Sequence, residues 1–189
     1  MKRIVNPFRY VAGVESLAIG AAGAVATAGL STLSGQSFDG ILHVHFAGTT
    51  FLEALAWQAV MWLVFASLLW LAAAISSTSS VRAIDVYGTN LMARLPLAVL
   101  LALDFMPGME WLREVTPATP VEEIAMHAMS PVMILYAVLS LAVVVWFLYW
   151  SYEAFAVSAN LRGWRAVWQF ASCYVAAECI VRFAVAVVA

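Results

Sequence analysis

Residues 54–75 read ALAWQAVMWLVFASLLWLAAAI, and this stretch decides the fold class. It contains no charged residue, and Gln58 and Ser67 are its only amide or hydroxyl side chains. The hydrocarbon core of a bilayer is about 30 Å thick, so a helix of about 20 mostly apolar residues can cross it. The stretch therefore predicts a membrane-spanning helix.

Further apolar stretches lie on both sides of this one in the chain. Together the predicted spans cover residues 16–33, 54–75, 86–105, 131–150 and 167–188. The chain is 65% hydrophobic and 11% charged, with a mean hydropathy of +0.93, whereas soluble domains carry about 25% charged residues. We expect one all-α domain over residues 1–189, a polytopic membrane bundle of about five transmembrane helices.

The basic residues predict how the bundle is oriented. One set of loops carries Lys2, Arg3, Arg9, Arg82, Arg162 and Arg165, whereas the opposite loops carry only Arg113. Cytoplasmic loops of membrane proteins are enriched in lysine and arginine. We therefore expect a cytoplasmic N-terminus, a C-terminus on the other side, and a multi-pass protein of a bacterial inner membrane.

Span one is rich in alanine and glycine. Gly20, Ala24 and Ala28 recur every four residues on one face, a pattern that lets two membrane helices approach closely. The basic start of the chain followed by a small-residue stretch is also typical of a signal peptide. Because Arg9 and Glu15 interrupt the approach to the apolar region, we keep the segment as a span and expect a central, protein-facing helix.

Three charged residues fall inside predicted spans, namely Arg94, Glu178 and Arg182. Ionisable residues within a membrane are costly and are candidates for function. Glu178 and Arg182 are four residues apart, so they are neighbours on one helix face and can neutralise each other. One interpretation is an internal ion pair that fixes helix packing, and the other is a proton or ion pathway. Pro96 predicts a kink in span three.

A catalytic or metal centre has weaker support. His43, His45 and His127 fall on the same predicted side, where Asp39, Glu122 or Glu123 could complete a zinc site. Solvated loop histidines are the alternative, and we expect neither a metal nor a cofactor. Phosphate-loop, HExxH and Gly-x-Ser-x-Gly motifs are missing from the sequence, so we expect a non-catalytic protein.

Two further expectations concern charge and thiols. The net charge is −2 and no run of basic residues occurs, so nucleic acid is not an expected partner. Cys173 and Cys179 are six residues apart in the last span and lie on different sides of a helix. We expect free, buried thiols.

A family resemblance rests on a few short motifs. Asn6-Pro7-Phe8 before span one, and Ile84-Asp85-Val86-Tyr87-Gly88 with Pro96 entering span three, resemble bacterial members of the Yip (Ypt/Rab-interacting protein) domain family. Asp85-Val86-Tyr87-Gly88 is similar to the Asp-Leu-Tyr-Gly motif of eukaryotic members, although it stands here before span three. The resemblance implies a single Yip-like domain that associates with other proteins and is not catalytic.

The same motif also has a structural interpretation. Asp85 can cap the N-terminus of span three by accepting backbone N–H groups. Gly88 permits close contact with a neighbouring helix.

Three functions follow from these observations. The first is a membrane scaffold or accessory subunit that works through helix–helix and cytoplasmic-loop contacts with a membrane protein or with itself. The second is a small transporter, or a membrane component of an export system, that uses Arg94, Glu178 and Arg182. The third is a membrane enzyme with a metal centre at the histidines.

Overall fold

The computed structural model describes residues 5–46, 48–77, 79–115 and 118–188; the side chains of 45, 46, 112, 113 and 188 lie outside that description. Five helical segments are long and apolar enough to cross a membrane. They are α1 (Gly13–Ser34), α2 (Phe51–Ser76), the third span (Ala83–Phe105), α6 (Pro131–Ser158) and α7 (Gly163–Val188). The predicted all-α bundle of five spans is confirmed.

Local sequence signals set the ends of these helices. Thr50 and Glu53 form a capping box at the start of α2: the Thr50 hydroxyl accepts the Glu53 N–H, and the Glu53 carboxylate accepts the Thr50 N–H. Ser130 caps α6, and Pro131 occupies its first helical position. Gly35 ends α1 in the left-handed conformation, with φ 72°.

The third span is broken rather than continuous. It consists of α3 (Ala83–Met92), α4 (Leu95–Ala102) and a 3₁₀ turn (Leu103–Phe105), with Ala93 and Arg94 at the break. Pro96 has no backbone N–H to donate to the preceding turn, and its ring crowds that turn. The predicted kink near Pro96 is confirmed as a break just before it.

The fourth span is longer than predicted. The predicted span ends at Trp150, but α6 continues to Ser158. Its last turns bury Ala154 and Phe155 against the bundle, and the Glu153 carboxylate accepts a hydrogen bond from the Asn6 side chain. Packing on the rest of the protein therefore extends the helix beyond its apolar stretch.

The sequence predicted that span one is the central helix. In the structure, α1 instead packs closely against the third span, which is the central one. A methyl group added at Gly20 would lie 2.6 Å from the Met92 nitrogen, and one added at Gly23 would collide with Leu95. Two-thirds of the third span is buried, against one-third of α1, so the third span is the central one. The contact face of α1 runs through Gly20, Gly23, Thr27 and Ser31, whereas Ala24 is only half-buried.

Large apolar side chains fill the space among the spans. Phe65 of α2 is fully buried and meets Phe170 and Tyr174 of α7 at ring-centroid distances of 5.9 and 5.8 Å. Leu97 and Leu101 of α4 lie in the same core cluster, together with Phe147 of α6.

A small β-hairpin between α1 and α2 was not predicted. Strands β1 (Gln36–Phe38) and β2 (Val44–Phe46) pair antiparallel, with Gln36 opposite Phe46. The hairpin buries Phe38 and Ile41 in the bundle core. Non-helical backbone is tolerated at such a place when it is covered by protein and its backbone groups are paired, as are the N–H groups of Gln36, Asp39 and Ile41.

The bundle has two distinct ends. The loop end carries the 3₁₀ turn Pro7–Arg9 and the short connections from α2 to α3 and from α6 to α7. The hairpin end carries the β-hairpin and the acidic segment between the third and fourth spans, where a 3₁₀ turn (Glu110–Glu114) and α5 (Val121–Ala128) form short surface helices. Arg9 and Arg162 line one cavity at the loop end, which is the predicted cytoplasmic end.

Candidate functional site

Arg94 is the most unusual residue of the membrane region. It lies at the break of the third span and is only 6% exposed. Neither Nη1 nor Nη2 has a hydrogen-bond partner among the described residues. An arginine cannot be neutralised in a protein, so a buried guanidinium requires hydrogen-bond acceptors or a negative charge. Arg94 therefore marks the first candidate site.

Asn90 extends this site by one helical turn. It precedes Arg94 by four residues and lies in the last turn of α3, just before the break. Asn90 is 2% exposed, and neither atom of its amide group has a partner among the described residues. The Tyr174 hydroxyl on α7 interacts electrostatically with Arg94. The central break thus gathers several polar atoms whose hydrogen bonds remain unmade within the described chain.

Glu178 holds the β-hairpin to the bundle. Its Oε2 accepts a hydrogen bond of 2.6 Å from the backbone N–H of Ile41, at the hairpin tip. A methyl group added at Gly40 would collide with Oε1 of the same carboxylate. The hairpin and Glu178 are therefore fitted closely to each other.

Arg182 binds the hairpin as well. Its Nη1 lies 3.4 Å from Oδ2 of Asp39. The interpretation of Glu178 and Arg182 as a mutual ion pair is therefore wrong for the described structure. The physical reason is that the unpredicted hairpin offers each of them a partner, a backbone N–H for Glu178 and a carboxylate for Arg182.

One face of α7 connects these two groups of residues. Tyr174, Glu178 and Arg182 follow at intervals of four, so they share that face. Tyr174 interacts electrostatically with both Glu178 and Arg94. Tyr174 thus relates Arg94 at the central break to the face of α7 on which Glu178 and Arg182 hold the hairpin.

The Asp85 motif binds the spans together at the loop end. The N-cap of α3 is Arg82, and no side chain caps this helix, so the predicted capping by Asp85 is wrong. Asp85 lies instead in the first helical turn, where its Oδ2 is 3.8 Å from Nε of Arg82. A carboxylate there still favours the helix dipole. A methyl group added at Gly88 would lie 2.5 Å from the Gly13 carbonyl oxygen, so the predicted close contact is confirmed.

Tyr87 ties α3 to α2 through three contacts. Its hydroxyl lies 2.7 Å from the Ser67 hydroxyl, and its carbonyl oxygen accepts a 3.0 Å hydrogen bond from Trp62 Nε1. The Tyr87 and Trp62 rings also meet edge to face. Tyr87 therefore has a structural role, and the buried Pro96 is likewise packed inside the bundle.

The histidines do not form a metal cluster within the described residues. His43 bonds Asp39 in the hairpin turn. His127 stacks on Trp111 at 4.4 Å between ring centroids, and its Nδ1 bonds the Glu123 carbonyl oxygen at 3.0 Å. The side chain of His45 lies outside the described residues, so the expectation of no metal remains a prediction.

The two cysteines are free, as predicted, but only one is covered. Cys173 is half-buried and donates to the Leu68 carbonyl oxygen at 3.5 Å. Cys179 is exposed on the outer surface of α7, so the prediction that it is buried is wrong. An apolar environment outside the protein suits a thiol as well as a core does, and residue type alone does not separate the two.

Two features of the site region were not found from the sequence. Asp104, at the end of the third span, is fully buried, and its Oδ1 accepts a 2.7 Å hydrogen bond from the Tyr136 hydroxyl of α6. A cavity of about 510 Å³ opens at the loop end, lined in part by Arg9, Glu153 and Arg162. The only sequence signal for the cavity was the clustering of arginines, which indicated orientation.

Comparison of the chain with protein-family models, curated proteins and solved structures found no match. The class of protein thus rests on the fold. Five apolar helices identify the chain as a multi-pass integral membrane protein.

Proposed function

We propose that the chain is a non-catalytic membrane scaffold or accessory subunit, a Yip-like protein of a bacterial inner membrane. It acts through helix contacts in the bilayer and through its cytoplasmic loops, with a membrane protein or a second copy as partner and without nucleic acid. The observation that carries the proposal is that Glu178 and Arg182 hold the hairpin on the bundle. Two of the three intramembrane charges thus have partners within the fold, which supports a structural role for them.

The outer surface of α6 supports an associating role. Only 11% of its most apolar stretch is buried within the chain. The uncovered side chains include Leu135, Val138 and Leu141, each at least half exposed. Lipid or a partner helix must cover such a surface, because exposure of this much apolar area to water is unfavourable.

In-membrane crosslinking tests the proposal. A photoreactive amino acid is placed at Val138, which is 59% exposed, and at the buried Val143 as the matched control on the same helix. The tagged chain is irradiated in its native membranes, and the adducts are identified by mass spectrometry.

The proposal expects one reproducible protein adduct from Val138, and none from Val143. The adduct is either a membrane protein or a second copy of the chain. If neither Val138 nor equivalent probes on α7 and on the loop-end connections give a protein adduct, the scaffold proposal is wrong.

A second function, a small transporter or a membrane component of an export system, is favoured by one observation. Arg94 and Asn90 present unpartnered polar atoms at the break of the third span. Broken helices near the middle of the bilayer form the substrate sites of many transporters. Chloride and acetate uptake into proteoliposomes, compared between the parent chain and Arg94→Gln, tests this function. Equal uptake in both, no faster than in empty liposomes, argues against transport of these anions.

A further inference from the structure

The cavity at the loop end is built by three separate segments of the chain. Arg9 comes from the turn before α1, and Tyr152 and Glu153 come from the last turns of α6. Arg162 comes from the connection between α6 and α7, and Gly163 is the first residue of α7. Its volume of about 510 Å³ falls within the range of ligand sites, roughly 300–1,000 Å³. A polar head group with its phosphate fits a space of this size.

The cationic groups of the cavity are free to bind a ligand. No carboxylate among the described residues forms an ion pair with Arg9 or Arg162. Glu153 is the one acidic residue of the lining, and its carboxylate already accepts the Asn6 side-chain amide. Two guanidinium groups therefore face the cavity with their hydrogen bonds available, and guanidinium matches the geometry of phosphate oxygens.

The surroundings place the cavity at the level of the lipid head groups. Phe8, next to Arg9, packs edge to face on Trp150 at 5.6 Å. Trp164 and Trp168 are exposed on the first turns of α7, just after Gly163. Tryptophans concentrate where the hydrocarbon core meets the head groups. A ligand in the cavity would therefore lie beside lipid.

We propose that the loop-end cavity binds the phosphodiester head group of an anionic phospholipid, held by Arg9 and Arg162. α7 begins at Gly163, directly after Arg162, and a helix N-terminus also favours an anion. Basic pockets between membrane helices bind anionic head groups in this way. The site is independent of the scaffold proposal and would serve a transporter equally well.

Lipid titration of the purified full chain, followed by native mass spectrometry, tests the site. The ligands are phosphatidylglycerol and, as the zwitterionic control, phosphatidylcholine. The test variant is Arg9→Gln with Arg162→Gln. The matched control is Arg82→Gln with Arg165→Gln, which removes the same charge from the same end of the bundle but from outside the cavity, as neither residue lines it.

The expected result is one phosphatidylglycerol bound in preference to phosphatidylcholine. The cavity variant should bind it about tenfold more weakly, and the control variant within about twofold of the parent. Equal weakening in both variants, or no preference between the two lipids, would overturn the proposal. Thermal melting of each variant in the same detergent shows that a loss of binding is not a loss of fold.

A soluble phosphate compound is the other source of the same chemistry. Glycerol 3-phosphate is therefore added as a competitor to the lipid-bound chain. If phosphatidylglycerol stays bound at millimolar concentrations of glycerol 3-phosphate, the result supports a lipid site. Displacement at micromolar competitor would show that the cavity binds a soluble phosphate ester, which contradicts the lipid assignment.

Discussion

The third span and α6 cross the same bilayer but have opposite surroundings. Protein covers 67% of the most apolar stretch of the third span and 11% of that of α6. The third span buries Thr89, Asn90 and Arg94, whereas the uncovered part of α6 is mostly aliphatic. In a bilayer the more polar helix thus lies inside, because lipid cannot satisfy hydroxyl, amide or guanidinium groups but covers aliphatic ones at no cost.

The largest effect is expected where the third span meets α1. Gly88→Leu places a side chain against the backbone of Gly13, so the helices must separate. Overpacking of backbone against backbone should reduce the free energy of unfolding by more than about 3 kcal/mol. Thermal unfolding in detergent measures this.

Gly29→Leu on α1 is the matched control, because a methyl group there would meet no atom within 4 Å. We expect it to change stability by less than about 1 kcal/mol. If both leucine variants are equally stable, the third span is not packed as closely as described.

A leucine on each helix tests the contrast directly. Leu97 in the third span is fully buried, and Leu141 on α6 is 65% exposed. Leu97→Ala should cost about 3 kcal/mol through the cavity that it leaves, whereas Leu141→Ala should cost less than about 1 kcal/mol. Denaturant titration of both variants in the same micelles gives the difference. Equal costs would mean that a partner covers α6 in the purified protein as fully as α4 is covered.

The charge at the break of the third span should give an effect of opposite sign. Arg94→Met removes buried donors that have no partner among the described residues. Apolar replacement of buried charged groups is often stabilising, and we expect a gain of about 2 kcal/mol. Melting of the variant in detergent and again in liposomes measures it. A loss of stability in liposomes alone would indicate that a bound anion satisfies the guanidinium there, which favours the transport function.

The smallest effect concerns a polar link between the two helices. Tyr136 of α6 donates a 2.7 Å hydrogen bond to Asp104 of the third span. Tyr136→Phe should cost about 1–2 kcal/mol because it removes a donor from a buried carboxylate. Tyr149→Phe, on an exposed part of α6, serves as the control and should leave the melting temperature unchanged. A matching decrease in both variants would argue against a specific role for the Asp104 bond.

The fold was largely predictable because its signals are local. Apolar length located all five spans, Pro96 located the break, and Gly88 indicated a close helix contact. The end of α6 was missed because the partner of Glu153, the Asn6 side chain, comes from the other end of the chain. Sequence pattern contains no information about such a distant partner.

The candidate site was predicted in its residues but not in its contacts. Arg94, Glu178 and Arg182 were identified because charges are rare in membranes. The hairpin that binds two of them was missed, because Gln36–Phe38 and Val44–Phe46 are too short to stand out as strands. The same omission led to the incorrect Glu178–Arg182 pair.

The sequence by itself determined that this chain is a bundle of membrane helices. Whether a segment can cross a bilayer depends on the length of its own apolar stretch, which is a local property of the sequence. Tertiary structure alone decided which helix lies at the centre and which partner each charge finds. Glu178 bonds Ile41, 137 residues away in the chain, whereas Nη1 and Nη2 of Arg94 have no hydrogen-bond partner among the described residues. Such choices depend on which groups the fold brings within hydrogen-bond distance, and hydrophobic pattern does not encode that distance.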